Sequence, residues 1–294
     1  MKSIAYPNSS LLGPPRSVLN PTFFIFFIAI FSMSCSIISY LYFKINIYAC
    51  FIINIISLHL AGTVIHEASH KTAHVNTNFN KILGHLSALM LGFSFPVFTR
   101  VHLQHHAHVN DPNNDPDHFV SKGGPLWLIA ARFFYHEIYF IQKKLWRDNE
   151  FFEWLINRSL IAFIIITAYY FHLIMFLLNC WFCPALVIGF LLGLFFDYLP
   201  HKPFLYRNRW KNARIYESKI LNWLILGQNY HLIHHLWPSL PWYKYQEAYK
   251  IAFYALKSHK APTTLDLFSN FSLLSFLYDL FYGFNFNINT YRPR

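Results

Sequence analysis

The chain has 294 residues, of which 55% are hydrophobic, 20% aromatic and only 13% charged, with a formal net charge of +11. A soluble domain carries about 25% charged residues, so this composition excludes an ordinary water-soluble fold. The basic excess does not read as nucleic-acid binding either, since no basic run is interleaved with stacking aromatics and no known nucleic-acid motif occurs.

A hydrocarbon core of roughly 30 Å takes about 20 apolar residues of helix, and four apolar runs, charged only at Asp197 near the end of the last, approach that length. Residues 1–22, with Asn8, Ser9, Ser10, Gly13, Pro14 and Pro15, read as an irregular cytoplasmic lead-in. Phe23–Phe43 and Ile47–Ile65 are the first two runs, parted only by Lys44, Ile45 and Asn46, which predicts a tight hairpin. The first is too long for a signal-peptide core and lacks a small-residue cleavage site, so a retained transmembrane helix is expected. The second runs straight into HEASH, which puts His66 and His70 just beyond the membrane on one helix, with His74 a further four-residue step along.

Ile82–Phe98 is also apolar but contains Gly84, His85, Gly92 and Pro96. A crossing here would separate the histidines before it from those after it, so a re-entrant or interfacial segment is expected. HLQHH follows with His102, His105 and His106, and the prolines and asparagines of AHVNDPNNDPDH then stop any helix. Leu126–Ile141, interrupted by Arg132, His136 and Glu137, suits an amphipathic interfacial helix, and Gln142–Arg158 a charged, solvent-facing one. Leu160–Leu178 and Phe182–Leu199 predict a second hairpin turning at Asn179, Cys180 and Trp181. Gly189 and Gly193 form a GxxxG that signals close helix packing, and the run ends in DYLPH, with Asp197 and His201 four apart. Residues 204–227 lead to HLIHH, with His231, His234 and His235, and from about residue 260 to 294 the chain reads as peripheral, Leu265–Phe284 carrying Asp266 and Asp279.

With this topology 23 of the 24 Lys and Arg residues fall on one side, the side that basic residues mark as cytoplasmic. The expected architecture is therefore a single all-α integral membrane domain, residues 1–294, with four transmembrane helices in two hairpins and a cytosolic histidine-rich cap. Cys35, Cys50, Cys180 and Cys183 lie in or beside apolar runs and read as small hydrophobes; the CxxC has no second pair.

The i, i+3, i+4 spacing of the histidine boxes lines their imidazoles along one helical face. Three boxes from distant parts of the chain suggest one shared site. A catalytic zinc takes about three protein ligands, whereas His66, His70, His102, His105, His106, His201, His231, His234 and His235 offer nine, enough for two metal ions. A dinuclear iron site is the natural candidate. Metal-binding imidazoles are held by partners on the other ring nitrogen; Glu67, Asp111, Asp115, Asp117 and Asp197 can serve, with His74 and His108 as further neighbours of the boxes. His59, His85, His118, His136, His172 and His259 are expected to be structural. A metal transporter would place its ligands inside the spans along a path, unlike these boxes.

The three boxes resemble those of the membrane fatty-acid desaturase and hydroxylase superfamily. FPVFTRVHLQHHAHVNDPNNDPDH, GGPLWLIAARFFYHEI, LGLFFDYLPHKPF and LILGQNYHLIHHLWPSLPWYKYQ are similar to the cyanobacterial-type carotenoid beta-ring hydroxylases within it, over roughly Ile65 to Gln246. The resemblance implies two iron ions, with His201 as the extra ligand after the second hairpin and Asp197 metal-associated. It also implies O2 as co-substrate, a carotenoid drawn from the bilayer, and a ferredoxin-type electron donor. The membrane would be the thylakoid or cytoplasmic membrane of a cyanobacterium, or a plastid membrane, with the boxes on the cytosolic or stromal side. The reaction implied is hydroxylation at C3 of the beta-ionone rings. A hydrocarbon ring has no acidic proton and no leaving group, so oxidative chemistry is required, and its regiochemistry must come from pocket shape. A fatty-acyl desaturase or carotenoid ketolase shares the boxes.

Overall fold

The computed structural model describes residues 5–264 and 270–283. Helix α1 (Pro21–Phe43) begins where the Asn20 side chain accepts the backbone N–H groups of Thr22 and Phe23, which otherwise lack partners. It ends at Lys44, whose φ of 49° leaves the helical region, and Asn46 caps α2 (Ile47–Ser69). The predicted first hairpin forms, tied at mid-height by the Ser32 and Ser57 hydroxyls at 2.7 Å.

The far half of α2 is buried from Ala61 to Ser69. Lys71, at φ 60°, then ends the helical path, so His74 leaves the line of His66 and His70 that the four-residue step predicts. Helices α3 (Thr77–Leu91) and α4 (Phe95–His108) meet at an angle of 99° around Gly92, which has φ 74°. The chain thereby turns back and brings the second box beside the first.

The single interfacial helix expected over Leu126–Ile141 is instead broken, after α5 (Pro116–Lys122), into a 3-10 turn, α6 (Ile129–Arg132) and α7 (Phe134–Gln142). Arg132 accounts for the break: its guanidinium folds back to donate to the Val120 and Pro125 carbonyls. The charged helix expected over Gln142–Arg158 is also corrected. Lys144 and Asp148 have φ of 50° and 48°, and α8 (Glu150–Tyr170) starts at Glu150, which takes a bidentate grip from Arg100. Arg158 thus lies well inside α8.

The second hairpin turns eight residues earlier than the sequence suggests, at Phe171–Leu173, where His172 has φ 55°. Helix α9 then runs unbroken from Ile174 to His201. Asn179, Cys180 and Trp181 stay helical because their polar groups find partners that a turn would not need. The Asn179 amide donates to the Met175 carbonyl at 2.7 Å, and the Trp181 indole donates to the Met90 carbonyl at 2.6 Å. Two stretches of α9, Leu178–Phe182 and Gly193–Tyr198, are π-helical, a widening that frees backbone carbonyls and recurs at functional sites. Asn54 donates to the Cys180 carbonyl and Tyr216 to that of Phe195. Gly189 and Gly193 permit the close packing expected of GxxxG, but against α6: a Cβ on either would stand about 3 Å from Ala130 or Ile129.

The remaining chain, α10 (Lys219–Leu224), α11 (His231–Leu236), α12 (Tyr245–Ser258) and α13 (Asn270–Phe281), caps one end of the long helices. Tyr230, Leu232, Ile233, Leu240 and Tyr245 form a fully buried core beneath the third box. The N-terminal lead-in is strapped over this core: Leu11 is buried in it, Gly13 N–H donates to the Ser239 carbonyl, and Val75 N–H donates to that of Pro15. The described part of the expected peripheral segment docks as well, since Asp279 on α13 accepts the Tyr198 hydroxyl and lies 3.6 Å from Lys202; Asp266 lies outside the described residues.

Four helices, α1, α2, α8 and α9, are long and apolar enough to cross a membrane, or five spans if the bent α3–α4 pair counts as one. In a background lacking the four native cysteines, a cysteine at His172 should react with a membrane-impermeant maleimide in oriented vesicles. A cysteine at Asn179 should not; the reverse pattern would restore the turn to Asn179–Trp181.

Candidate metal centre

Each box enters the site on its own short piece of helix. His66 lies in the last turn of α2 and His70 at its cap; His102, His105 and His106 lie on α4; His201 closes α9; His231, His234 and His235 make up half of α11. The structure brings all nine together. Ligand nitrogens of His66, His70, His102 and His234 lie within 4.8 Å of one another, as do those of His105, His201, His231 and His235. His106 adjoins the first group, its Nε2 2.8 Å from that of His234 and 3.2 Å from that of His102, and its ring stacks on His235 of the second.

The rings point inward by Nε2. Six Nε2-to-Nε2 contacts fall between 2.8 and 3.2 Å, joining His66 to His234, His70 to His102, His102 to His106, His106 to His234, His201 to His231 and His231 to His235. Three outward Nδ1 atoms meet oxygen acceptors, whereas those of His66 and His235 make no hydrogen bond among the described residues. His201 Nδ1 donates to the backbone carbonyl of Asn212 at 2.9 Å, His231 Nδ1 to the Gln228 side chain at 3.2 Å, and His105 Nδ1 to Asp115 at 2.9 Å. A neutral imidazole carries one N–H, so His201 and His231 each keep a lone pair on Nε2, and these face each other at 3.1 Å. Two lone pairs at that distance repel unless a cation lies between them. The donor set therefore fits metal ions, and outer partners of this kind fix tautomer and ring orientation.

Burial, then the neighbouring imidazoles, hold His70, His102, His106, His231, His234 and His235 well below the usual imidazole range, which keeps them in the neutral, ligating form. His105 differs. Burial lowers it too, but Asp115 and Asp117 outweigh that and bring it up to about 9, so a metal ion bound there would displace its Nε2 proton.

Other predicted neighbours divide. Asp197 lines the cavity beside the site, and Glu67 lies 3.5 Å from His66 Nδ1. Asp111 turns away, 3.4 Å from Arg207. His74 accepts from the Asn76 N–H and packs on Phe79, and His108 is exposed at the end of α4; neither is among the rings that converge. His136, expected to be structural, sits 2.8 Å from Asp117 and lines the cavity. Sequence reasoning missed Asn212, Gln228 and Tyr245. Gln228 stands one turn before His231 and was open to inference; Asn212 acts through its backbone and Tyr245 through tertiary contact, so neither leaves a sequence signal.

A cavity of about 380 Å³ adjoins the histidines, its wall including His66, His102, His105 and His231. Most of the rest is aromatic or aliphatic, with Phe93, Phe98, Phe133, Trp181, Ile161 and Ile165, while Asp117, His136, Glu137 and Arg158 are polar exceptions. The Arg158 guanidinium is engaged, donating to the Gly92 carbonyl and lying 3.2 Å from Glu137.

Membrane-length helices, a polyhistidine centre able to hold metal, and an apolar cavity at its side define the class of this protein. Residues 45–265 match the fatty acid desaturase family, about three quarters of the chain, and the protein belongs to that family. It is 29% identical over 227 residues to dihydrorhizobitoxine desaturase of Bradyrhizobium elkanii, covering 64% of this chain and 62% of that one. It is 27% identical over 190 residues to beta-carotene ketolase of Paracoccus sp. (strain PC1), covering 62% of this chain and 70% of the ketolase. The chain thus spans just under two thirds of the length of the desaturase.

Ferrous iron should raise the melting temperature of the detergent-purified protein, because a ligand bound only by the folded state stabilises it. His234→Ala and His105→Ala should lose most of that rise while His172→Ala keeps it; an equal rise in all three would contradict the site.

Proposed function

We propose that the protein is a carotenoid beta-ring hydroxylase, converting beta-carotene to beta-cryptoxanthin and then zeaxanthin at a centre of two irons. The observation that carries the reading is the contact between the histidine centre and a largely apolar, aromatic-walled cavity, a match for a hydrocarbon ring without a polar handle. The similarity to a carotenoid ketolase supports the substrate class, and the motifs around the boxes support hydroxylation.

In this reading His66, His70, His102, His106 and His234 would hold one iron, and His105, His201, His231 and His235 the other, with Asp197 close by. A diiron group bound there would supply reductive activation of O2, with two electrons and two protons taken up, one oxygen atom entering the product and the other leaving as water. The chain's own part is positional. Phe93, Phe98, Phe133 and Trp181 exclude water and confine the ring against His66 and His102, so that shape selects the carbon presented. Asp115, Asn212 and Gln228 fix the inward lone pairs. Electrons come from a separate ferredoxin-type carrier, which the basic residues of the cap would attract. The substrate arrives laterally from the membrane of a carotenoid-producing cell, with the histidines on the cytosolic or stromal side.

The ketolase relative favours one further reading, in which the same cavity yields a ring ketone. Expression in bacteria that accumulate beta-carotene, with ferredoxin present, separates the two by chromatography with mass detection. Mono- and dihydroxylated products, lost in His234→Ala, are expected. A keto product would overturn hydroxylation, and unchanged beta-carotene with altered fatty-acid profiles would make the protein an acyl desaturase.

A further inference from the structure

Glu67 follows His66 on α2 and is 1% exposed. Donors from separate parts of the chain close on its carboxylate. The Thr72 hydroxyl donates at 2.8 Å and the Trp242 backbone N–H at 3.1 Å, and the Tyr245 hydroxyl is also within hydrogen-bond reach. His66 Nδ1 lies 3.5 Å from Oε1 of the same carboxylate, its charged neighbour, and makes no hydrogen bond among the described residues. Tyr245, the first residue of α12, is fully buried, and its hydroxyl is 2.9 Å from Nδ1 of His234.

A phenol has one proton to give. A carboxylate only accepts, so Tyr245 donates to Glu67, and its oxygen lone pair is left to accept the Nδ1–H of His234. His234 then turns its Nε2 lone pair inward, 3.1 Å from His66 Nε2 and 2.8 Å from His106 Nε2.

We propose that Glu67 is a positioning residue for two ligands of one metal: its charge, 3.5 Å behind Nδ1, favours the His66 tautomer with Nε2 free, and through Tyr245 it sets the tautomer of His234. One buried carboxylate would then tie the first histidine box to the third, joining α2 to α11 and α12. The second group of histidines relies on other partners, Asp115, Asn212 and Gln228. Disturbing the relay should loosen one iron and leave the other. The inference rests on the two-iron reading of the nine histidines and is independent of the substrate.

Iron release from the full-length protein in detergent tests it. Wild type, Tyr245→Phe and Glu67→Gln are loaded anaerobically with ferrous iron and challenged with excess of a ferrous chelator. Loss of an outer partner costs about 10- to 100-fold in metal affinity, so both variants should release one iron faster by about that factor and the other at the wild-type rate. Tyr249→Phe is the control, one turn along α12, where it removes a hydroxyl bonded to Glu217 at 3.2 Å; it should release iron as wild type does. Two irons leaving Tyr245→Phe and Glu67→Gln at the wild-type rate would overturn the relay, as would equal acceleration of both irons, the mark of general loosening. A wild-type protein that takes up no iron would overturn the two-iron reading together with the relay, so the two failures are distinguishable.

Discussion

Imidazole nitrogens facing one another at about 3 Å are the constraint on which the rest of the structure depends. Eight of the nine rings are packed this way, which is stable only if their outward nitrogens carry the protons and something positive takes up the lone pairs inside. Three separate segments contribute to the first condition. Asp115 comes from the loop after α4, Asn212 from the loop after α9, and Gln228 from the 3-10 turn before α11. Family membership gives the second condition its expected form, a pair of irons bound by neutral imidazoles.

The long helices act as fixed posts for short ligand-bearing segments. His66 and His201 stand at the ends of α2 and α9, where rigid helix gives way to the cap. The π-helical stretch from Gly193 to Tyr198 widens the last turns of α9 just before His201, and Tyr216 from the cap takes up the freed Phe195 carbonyl. The same stretch presents Asp197 and Phe196 to the cavity, while α13 is anchored to its end through Asp279 and Tyr198. The C-terminal part of the chain thus braces the metal site at a distance.

The histidines were legible because their order is local. An i, i+3, i+4 spacing means one face of a helix wherever it occurs, and three such faces with His201 imply a common centre. The first hairpin was legible for a similar reason, since Lys44, Ile45 and Asn46 interrupt an otherwise uncharged stretch. The second was misplaced because Asn179 and Trp181 look like turn residues in sequence, yet their side chains bond to Met175 and, across the fold, to Met90. His74 was placed in line with His66 and His70 because nothing in the sequence announces the left-handed Lys71. The cavity and the Glu67–Tyr245 contact depend on residues far apart in the chain, which no periodicity records.

The central claim is that the nine histidines hold two irons. Mössbauer spectroscopy and elemental analysis of the anaerobically purified wild-type protein address it most directly. The account predicts about two high-spin irons per chain in nitrogen-rich coordination. A single zinc per chain, or iron at random low occupancy with no paired signal, would contradict it.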